Sequence, residues 1–353
     1  MDITIKDFWR RKMINWEFKK LIKSKSMIIS LLILIFTLLI TVFIKPTLET
    51  ENSYIDDKKG YIQDTRDENE IANEKFNIKL SVLTDLSNEE NDESEFSSQI
   101  ASMSKEKINN LKSSKYEEVR FWQVFNYRAA NPLINIAMLV IIMIIISNLY
   151  TDEIISSVKD IILSSKEKKK VLNSKIIIAF LIPILIYSIY LVGIFILTYI
   201  QQGAPVNGHL EAFRIVDNIT LLNGNPNISS YILNNIILAL LMFEGFAMSA
   251  MFFSFISISS ISSISMFGIF IVFNKVISTL KFIPGVFLSV LSYGNYYDLI
   301  FNFNNLMGSY MGHINLFENQ FGLISIVKVM LLLTFIISTI LCFIVSKTKY
   351  INR

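Results

Sequence analysis

Six long apolar runs fix what this chain can fold into. They are Met27–Ile44, Pro132–Tyr150, Ile176–Ile200, Tyr231–Phe255, about Ile258–Thr279, and Leu323–Val345. In hydrocarbon each backbone N–H and C=O must be satisfied within the protein, which leaves a helix of about 20 apolar residues as the simplest crossing. Composition agrees: 52% of the 353 residues are hydrophobic, only 18% are charged, and the mean hydropathy is +0.47. The expectation is an all-α membrane protein with about six transmembrane helices. Pro132 suits the first turn of its helix, where its missing N–H costs nothing. Pro183 predicts a kink in the third span. Only the serine-rich stretch Ser254–Ser265 separates the fourth span from the fifth, which predicts a tight hairpin.

Lysine and arginine in the short connections set orientation. Basic residues crowd the first 25 positions, from Lys6 to Lys25. They crowd again between spans two and three (Lys159, Lys166, Lys168, Lys169, Lys170, Lys175), and the tail holds Lys347, Lys349 and Arg353. The segments 201–230 and 281–322 hold one each, Arg214 and Lys281. Both termini and the connection 151–175 are therefore expected in the cytoplasm of a cell whose cytoplasmic membrane holds the protein. Residues 46–131 and 201–230 are expected outside. The first span is too long for a cleaved signal peptide, and Lys45, Pro46, Thr47, Leu48, Glu49 and Thr50 follow it without a small-residue cleavage pattern.

The parts outside the spans carry their own patterns. Residues 1–26 are amphipathic, with Ile5, Phe8, Trp9, Met13 and Trp16 on one helical face among basic residues, as in a helix lying in the headgroup layer. The span 27–45 follows. Residues 46–131 are acidic and hold one glycine, Gly60, which favours helix over strand. Apolar residues at helical spacing (Ile71, Ile78, Val82; Ile100, Met103, Leu111) predict a helical hairpin turning at Leu86–Ser98, with a partly disordered acidic loop as the alternative. Residues 132–353 hold the remaining spans. Within them Phe282–Leu291 is apolar but too short to cross, which leaves a re-entrant piece and an interfacial loop as equal readings.

Catalytic chemistry finds no foothold in the sequence. There is no G-x-x-x-x-G-K-[ST], no G-x-S-x-G and no H-E-x-x-H. The single cysteine, Cys342, sits in an apolar run and reads as a small hydrophobe. His209 and His313 lie in connecting segments. No catalytic, cofactor or metal residue is assigned, and the chain is expected not to be an enzyme. One ionisable residue lies deep in a span: Glu244. A carboxylate at mid-membrane costs about 2.5–3.5 kcal/mol on insertion scales, so it faces the protein interior or water. It is a candidate for the transmembrane pathway or for an interhelical hydrogen bond.

The most specific signal is the connection between spans two and three. It reads Asn148-Leu149-Tyr150-Thr151-Asp152-Glu153, then Leu163-Ser164-Ser165-Lys166 and three further lysines, then Ser174-Lys175. Between them Ile154, Ile155, Val158, Ile161 and Ile162 recur at helical spacing, and Asp152–Leu163 would make about three helical turns. In this respect the chain resembles the permease subunits of type-2 ABC (ATP-binding-cassette) exporters. There a span ends on an acidic residue, a short cytoplasmic segment carries leucine, serine and basic residues, and a lysine opens the next span. Glu153, Leu163, Ser165 and Lys175 match. The usual Gly-Thr is absent, with Val158-Lys159 near its place, and so is the usual proline after the serine.

The resemblance covers most of the chain, including the N-terminal elbow and the six-span plan. It implies an exporter permease forming half of a transmembrane path, paired with itself or a sister permease. A separate ATPase subunit would hold ATP and Mg and couple through Glu153, Ile155, Val158, Leu163, Ser165 and Lys175. The lipid bilayer is the remaining partner, and nucleic acid is not expected to be one. The competing reading is a membrane-anchored sensor or immunity protein that uses 46–131 as its outer domain.

Overall fold

The computed structural model describes residues 13–56, 60–88, 94–165, 167–280, 285–316 and 319–351. Helices dominate. A short helix α1 (Met13–Ile22) meets α2 (Lys25–Thr41) at 64°. The corner is made by Ser24, whose hydroxyl donates to the Leu21 carbonyl at 2.7 Å and accepts the Met27 N–H at 3.2 Å, capping α2. A β-hairpin follows, β1 (Ser53–Asp56) with β2 (Gly60–Gln63). Then come α3 (Glu68–Asn88), α4 (Glu95–Asn109) and α5 (Arg120–Ala129). The membrane part continues with α6 (Pro132–Ile155), α7 (Lys159–Ser164), α8 (Lys168–Gln202), α9 (Ile228–Ile256) and α10 (Ser260–Ser278). The last third holds α11 (Gly285–Gly294), α12 (Tyr296–Met307), the hairpin β3 (His313–Leu316) and β4 (Asn319–Gly322), and α13 (Leu323–Val345). A π-helical turn, Ser346–Ile351, follows α13.

The protein is a membrane-embedded helical bundle. Five helices (α6, α8, α9, α10, α13) are each long and apolar enough to cross a bilayer, and the bent pair α1–α2 brings the number to as many as six. Each falls on one of the six apolar runs. The outward faces carry large apolar side chains: Leu32 and Phe36 of α2, Val192 and Ile200 of α8, and Ile269 of α10 are all more than 60% exposed. Contiguous apolar surface on this scale needs lipid against it.

The central helix is α9, packed most extensively on α13 and α6. Its side from Met242 to Met251 is buried throughout. Small polar groups join the helices, as expected where burial alone gives no drive to associate. Ser249 and Ser338 share a hydrogen bond of 2.8 Å, Thr151 and Ser260 one of 2.7 Å, and Ser254 donates to the Ser147 carbonyl at 3.1 Å. Cys342 is fully buried, its thiol 3.4 Å from the Met248 carbonyl. Gly193 lies where α2 and α8 meet. A Cβ there would stand 2.7 Å from Leu38 Cδ2.

Several expectations change in detail. Pro132 stands in the first turn of α6 as expected, and Asn131 caps the helix. α8 runs unbroken through Pro183 for 35 residues. α9 and α10 are joined by three residues, Ser257–Ser259, and pack together as a hairpin. Residues 285–307 form two short helices, broken at Asn295. This fully buried side chain caps α12 through the Asp298 N–H at 2.8 Å and donates to the carbonyls of Leu291 and Ser292. Phe282 and Pro284 lie outside the described residues, as do Ile5, Phe8 and Trp9 of the N-terminal stripe.

The insert is helical, with α3 packed on α4, and its turn at 89–93 lies outside the described residues. Two features were not expected from its sequence: the β1–β2 hairpin and α5. It is fastened to the 201–230 segment. Phe76 stacks on Phe213 with centroids 6.3 Å apart, and the Arg214 guanidinium lies 4.3 Å from the Phe76 ring. Arg214 also pairs with Glu211 at 2.9 Å and donates to the Ser113 and Lys115 carbonyls. Burial alone would raise the Glu211 carboxyl, but hydrogen bonds from Arg214 and the Lys112 N–H bring it below its usual range. Arg128, almost fully buried and with no carboxylate partner among the described residues, ties α5 to the ends of α2 and α8. It donates to Ile44 O (2.8 Å), Thr198 Oγ1 (2.9 Å) and Gln201 Oε1 (2.5 Å).

Candidate functional site

The connection between α6 and α8 is built by two local devices. α6 ends at Ile155 with Ser156 as its cap, and Ser157 then adopts φ +58°, the left-handed conformation that closes many helices. This usually falls to glycine, because a Cβ costs about 1–2 kcal/mol there. The chain turns and α7 starts after Val158. The single three-turn helix expected over Asp152–Leu163 is therefore not formed. Its first four residues extend α6, and the rest is a six-residue helix after a left-handed corner. Ser165 ends α7, its N–H and hydroxyl both directed to the Ile162 carbonyl.

This corner presents apolar side chains outward. Ile155 is 65% exposed, Ile161 70% and Val158 38%. An apolar hollow of about 400 Å³ adjoins them, lined by Met13 and Trp16 of α1, Ile161 and Ile162 of α7, and Val171 of α8. Trp16 is itself half exposed and lies 5.8 Å from the Lys20 ammonium. The side chain of Leu163 and all of Lys166 lie outside the described residues.

Behind this surface lies a cluster of buried charge. Lys175, fully buried at the third turn of α8, donates to Glu17 of α1 at 3.0 Å and to the Leu149 carbonyl of α6 at 2.9 Å. It also lies 2.8 Å from Glu153 of α6. Glu153 in turn receives Lys20 of α1 at 2.6 Å. Two lysines and two carboxylates thus join three helices. Lys175, Glu17 and Glu153 are dry, and Lys20 reaches water. Of the sequence candidates, Glu153 and Lys175 meet here. Glu17 and Lys20 were not anticipated, since nothing in an amphipathic, charge-rich helix marks two of its charges as the buried ones.

Glu244 stands apart. It is 5% exposed in the middle of α9, and neither carboxylate oxygen has a hydrogen-bond partner among the described residues. Of its two readings, the interhelical hydrogen bond is not made among the described residues. Lys275 pairs with Asp298 at 2.7 Å, joining α10 to α12. No group of three or more histidine, cysteine or carboxylate side chains able to hold a metal occurs among the described residues. Comparison with known proteins finds no matching family model, no matching curated protein and no matching solved structure.

Proposed function

We propose that this chain is the permease subunit of an ABC exporter of the cytoplasmic membrane, with both termini and residues 151–175 in the cytoplasm. One observation carries the reading. Lys175 ties both ends of the α6–α8 connection to the elbow helix α1. A partner that pushes on α7 then pushes on three helices as one body. A buried ion pair adds little net stability over an apolar one, but it fixes which groups must meet. Rigid transmission is what a subunit without its own nucleotide site needs from a partner that has one. ATP and Mg belong to that partner, and a second copy or a sister permease completes the path.

The exposed strip Ile155, Val158 and Ile161 supports the same reading. It is apolar and exposed, and it sits at the corner that opens a short helix, an element that can seat in a partner's groove. Tagged full-length chain, extracted from its own cells in mild detergent, is expected to bring with it an ATPase containing a Walker A motif. Ile155→Asp and Ile161→Asp should lose that ATPase while still inserting in the membrane. Recovery of the chain without any ATPase, or equal recovery with both variants, would contradict the assignment.

A further inference from the structure

On the insert's side of the spans, a cleft of about 280 Å³ opens between the end of α5, the loop at 215–217 and α12. Small-ligand pockets begin at about 300 Å³, so the cleft has room for a small molecule. α12 is broken along its wall. Asn302 leaves the helical region, with φ −126° and ψ 26°. Every residue from Phe301 to Asn305 lines the cleft, whereas a regular helix, at 3.6 residues per turn, spreads five consecutive side chains around its whole circumference. Asn302 and Asn305 are exposed, and their amides make no hydrogen bond among the described residues. On the α5 wall, Asn126 is only 7% exposed. Its amide also makes no hydrogen bond among the described residues, yet neither its nitrogen nor its oxygen is sealed from solvent. A side chain this buried that keeps its unbonded polar end at a cleft offers a fixed donor and a fixed acceptor to whatever enters.

Charge and ring faces select the ligand. Asp217 is the cleft's carboxylate among the described residues, and it also borders an adjoining hollow with Glu49, Lys75 and Lys79. Lys79 pairs with Glu49 at 2.6 Å. Two carboxylates and two ammonium groups offset one another, so no net field at the cleft draws an ion of either sign. Tyr127 of α5 and Phe301 of α12, each 38% exposed, bring one ring from each wall. What the cleft offers is therefore neutral: amides that both donate and accept, beside apolar ring faces. A sugar hydroxyl likewise donates and accepts, and a pyranose ring has an apolar C–H face that packs on an aromatic one. We infer that this cleft binds a short neutral saccharide, presented from the insert's side. The inference does not depend on the exporter reading, because it concerns binding alone.

Calorimetric titration of purified full-length chain tests it with four probes: maltotriose, triacetylchitotriose, the peptide trialanine and the cation spermidine. At least one of the two saccharides should bind saturably, with an affinity that added salt leaves unchanged. Tyr127→Ala and Asn305→Ala, both at exposed positions, should each weaken that binding about three- to tenfold, the scale of one ring contact or one hydrogen bond. The melting temperature should not move in either. Asn126→Leu, if it folds, should weaken binding at least as much, and the two exposed variants carry the test by themselves if it does not. Failure of both saccharides to bind would overturn the inference. So would trialanine or spermidine binding as tightly as the better saccharide, or unchanged affinity in both exposed variants.

Discussion

The buried lysine at position 175 is the residue on which the cytoplasmic side turns. Removing its ammonium leaves Glu17 and Glu153 facing each other with only the half-exposed Lys20 to offset them. Loss of one member of a buried ion pair costs about 3–5 kcal/mol. Lys175→Met should therefore sharply reduce the yield of folded protein in membranes, read by fluorescence-detected gel filtration. Lys20→Ala should cost under about 1 kcal/mol, since its side chain is 41% exposed. Equal yields for the two variants would show that the cluster does not hold the helices together.

Lys107 of α4 gives a pH test in the insert. It is fully buried, its ammonium has no partner among the described residues, and burial pushes its pKa down to about 8. The unfolded chain keeps the ordinary lysine value of about 10.5, so between pH 8 and 10.5 the unfolded state binds more protons. Stability should rise with pH across that window, and Lys107→Met should remove the rise while lifting the melting temperature at pH 7. A flat profile in the wild type would contradict the burial of a charged lysine. In α9, Glu244→Gln should be tolerated far better than Glu244→Lys, because the amide adds no charge to a site without partners. Equal expression and function of the two would place Glu244 in open water.

At the scale of elements, the spans were legible because their signal is intrinsic. An uncharged run such as Ile176–Ile200 has no stable alternative to a helix in lipid. The insert helices were legible from their spacing of Ile71, Ile78 and Met103. The short hairpins were not, because Ser53–Asp56 and His313–Leu316 are four residues each and their pairing depends on their neighbours. The corner at Ser157 was hidden for a different reason: a serine in a left-handed conformation leaves no mark that glycine would. The site divides the same way. Glu153 and Lys175 stood out through their place at the ends of a connection. Their meeting with Glu17, separated from Lys175 by 158 positions, is a product of packing. The corner itself makes a prediction. Ser157→Gly relieves the strained backbone and should leave ATPase association intact, whereas Ser157→Val, β-branched at positive φ, should reduce it several-fold. Equal association in both would mean that the corner does not shape the docking surface.

At the scale of the whole molecule, the bundle has one side built from the acidic insert and another built from basic flanks and the α7 corner. Single cysteines in a Cys342→Ala background should report these as opposite sides of the membrane. An impermeant thiol reagent applied to intact cells is expected to label position 95 and to miss position 168. The reverse pattern would invert the orientation. The central claim is that the α7 corner receives an ATPase, and a photo-crosslinking residue in place of Ile161 addresses it most directly. In intact membranes, irradiation should join this chain to a polypeptide that carries a Walker A motif, and the same crosslinker at position 96 of the insert should not. Adducts at position 161 to lipid alone, or ATPase adducts from position 96, would contradict the account.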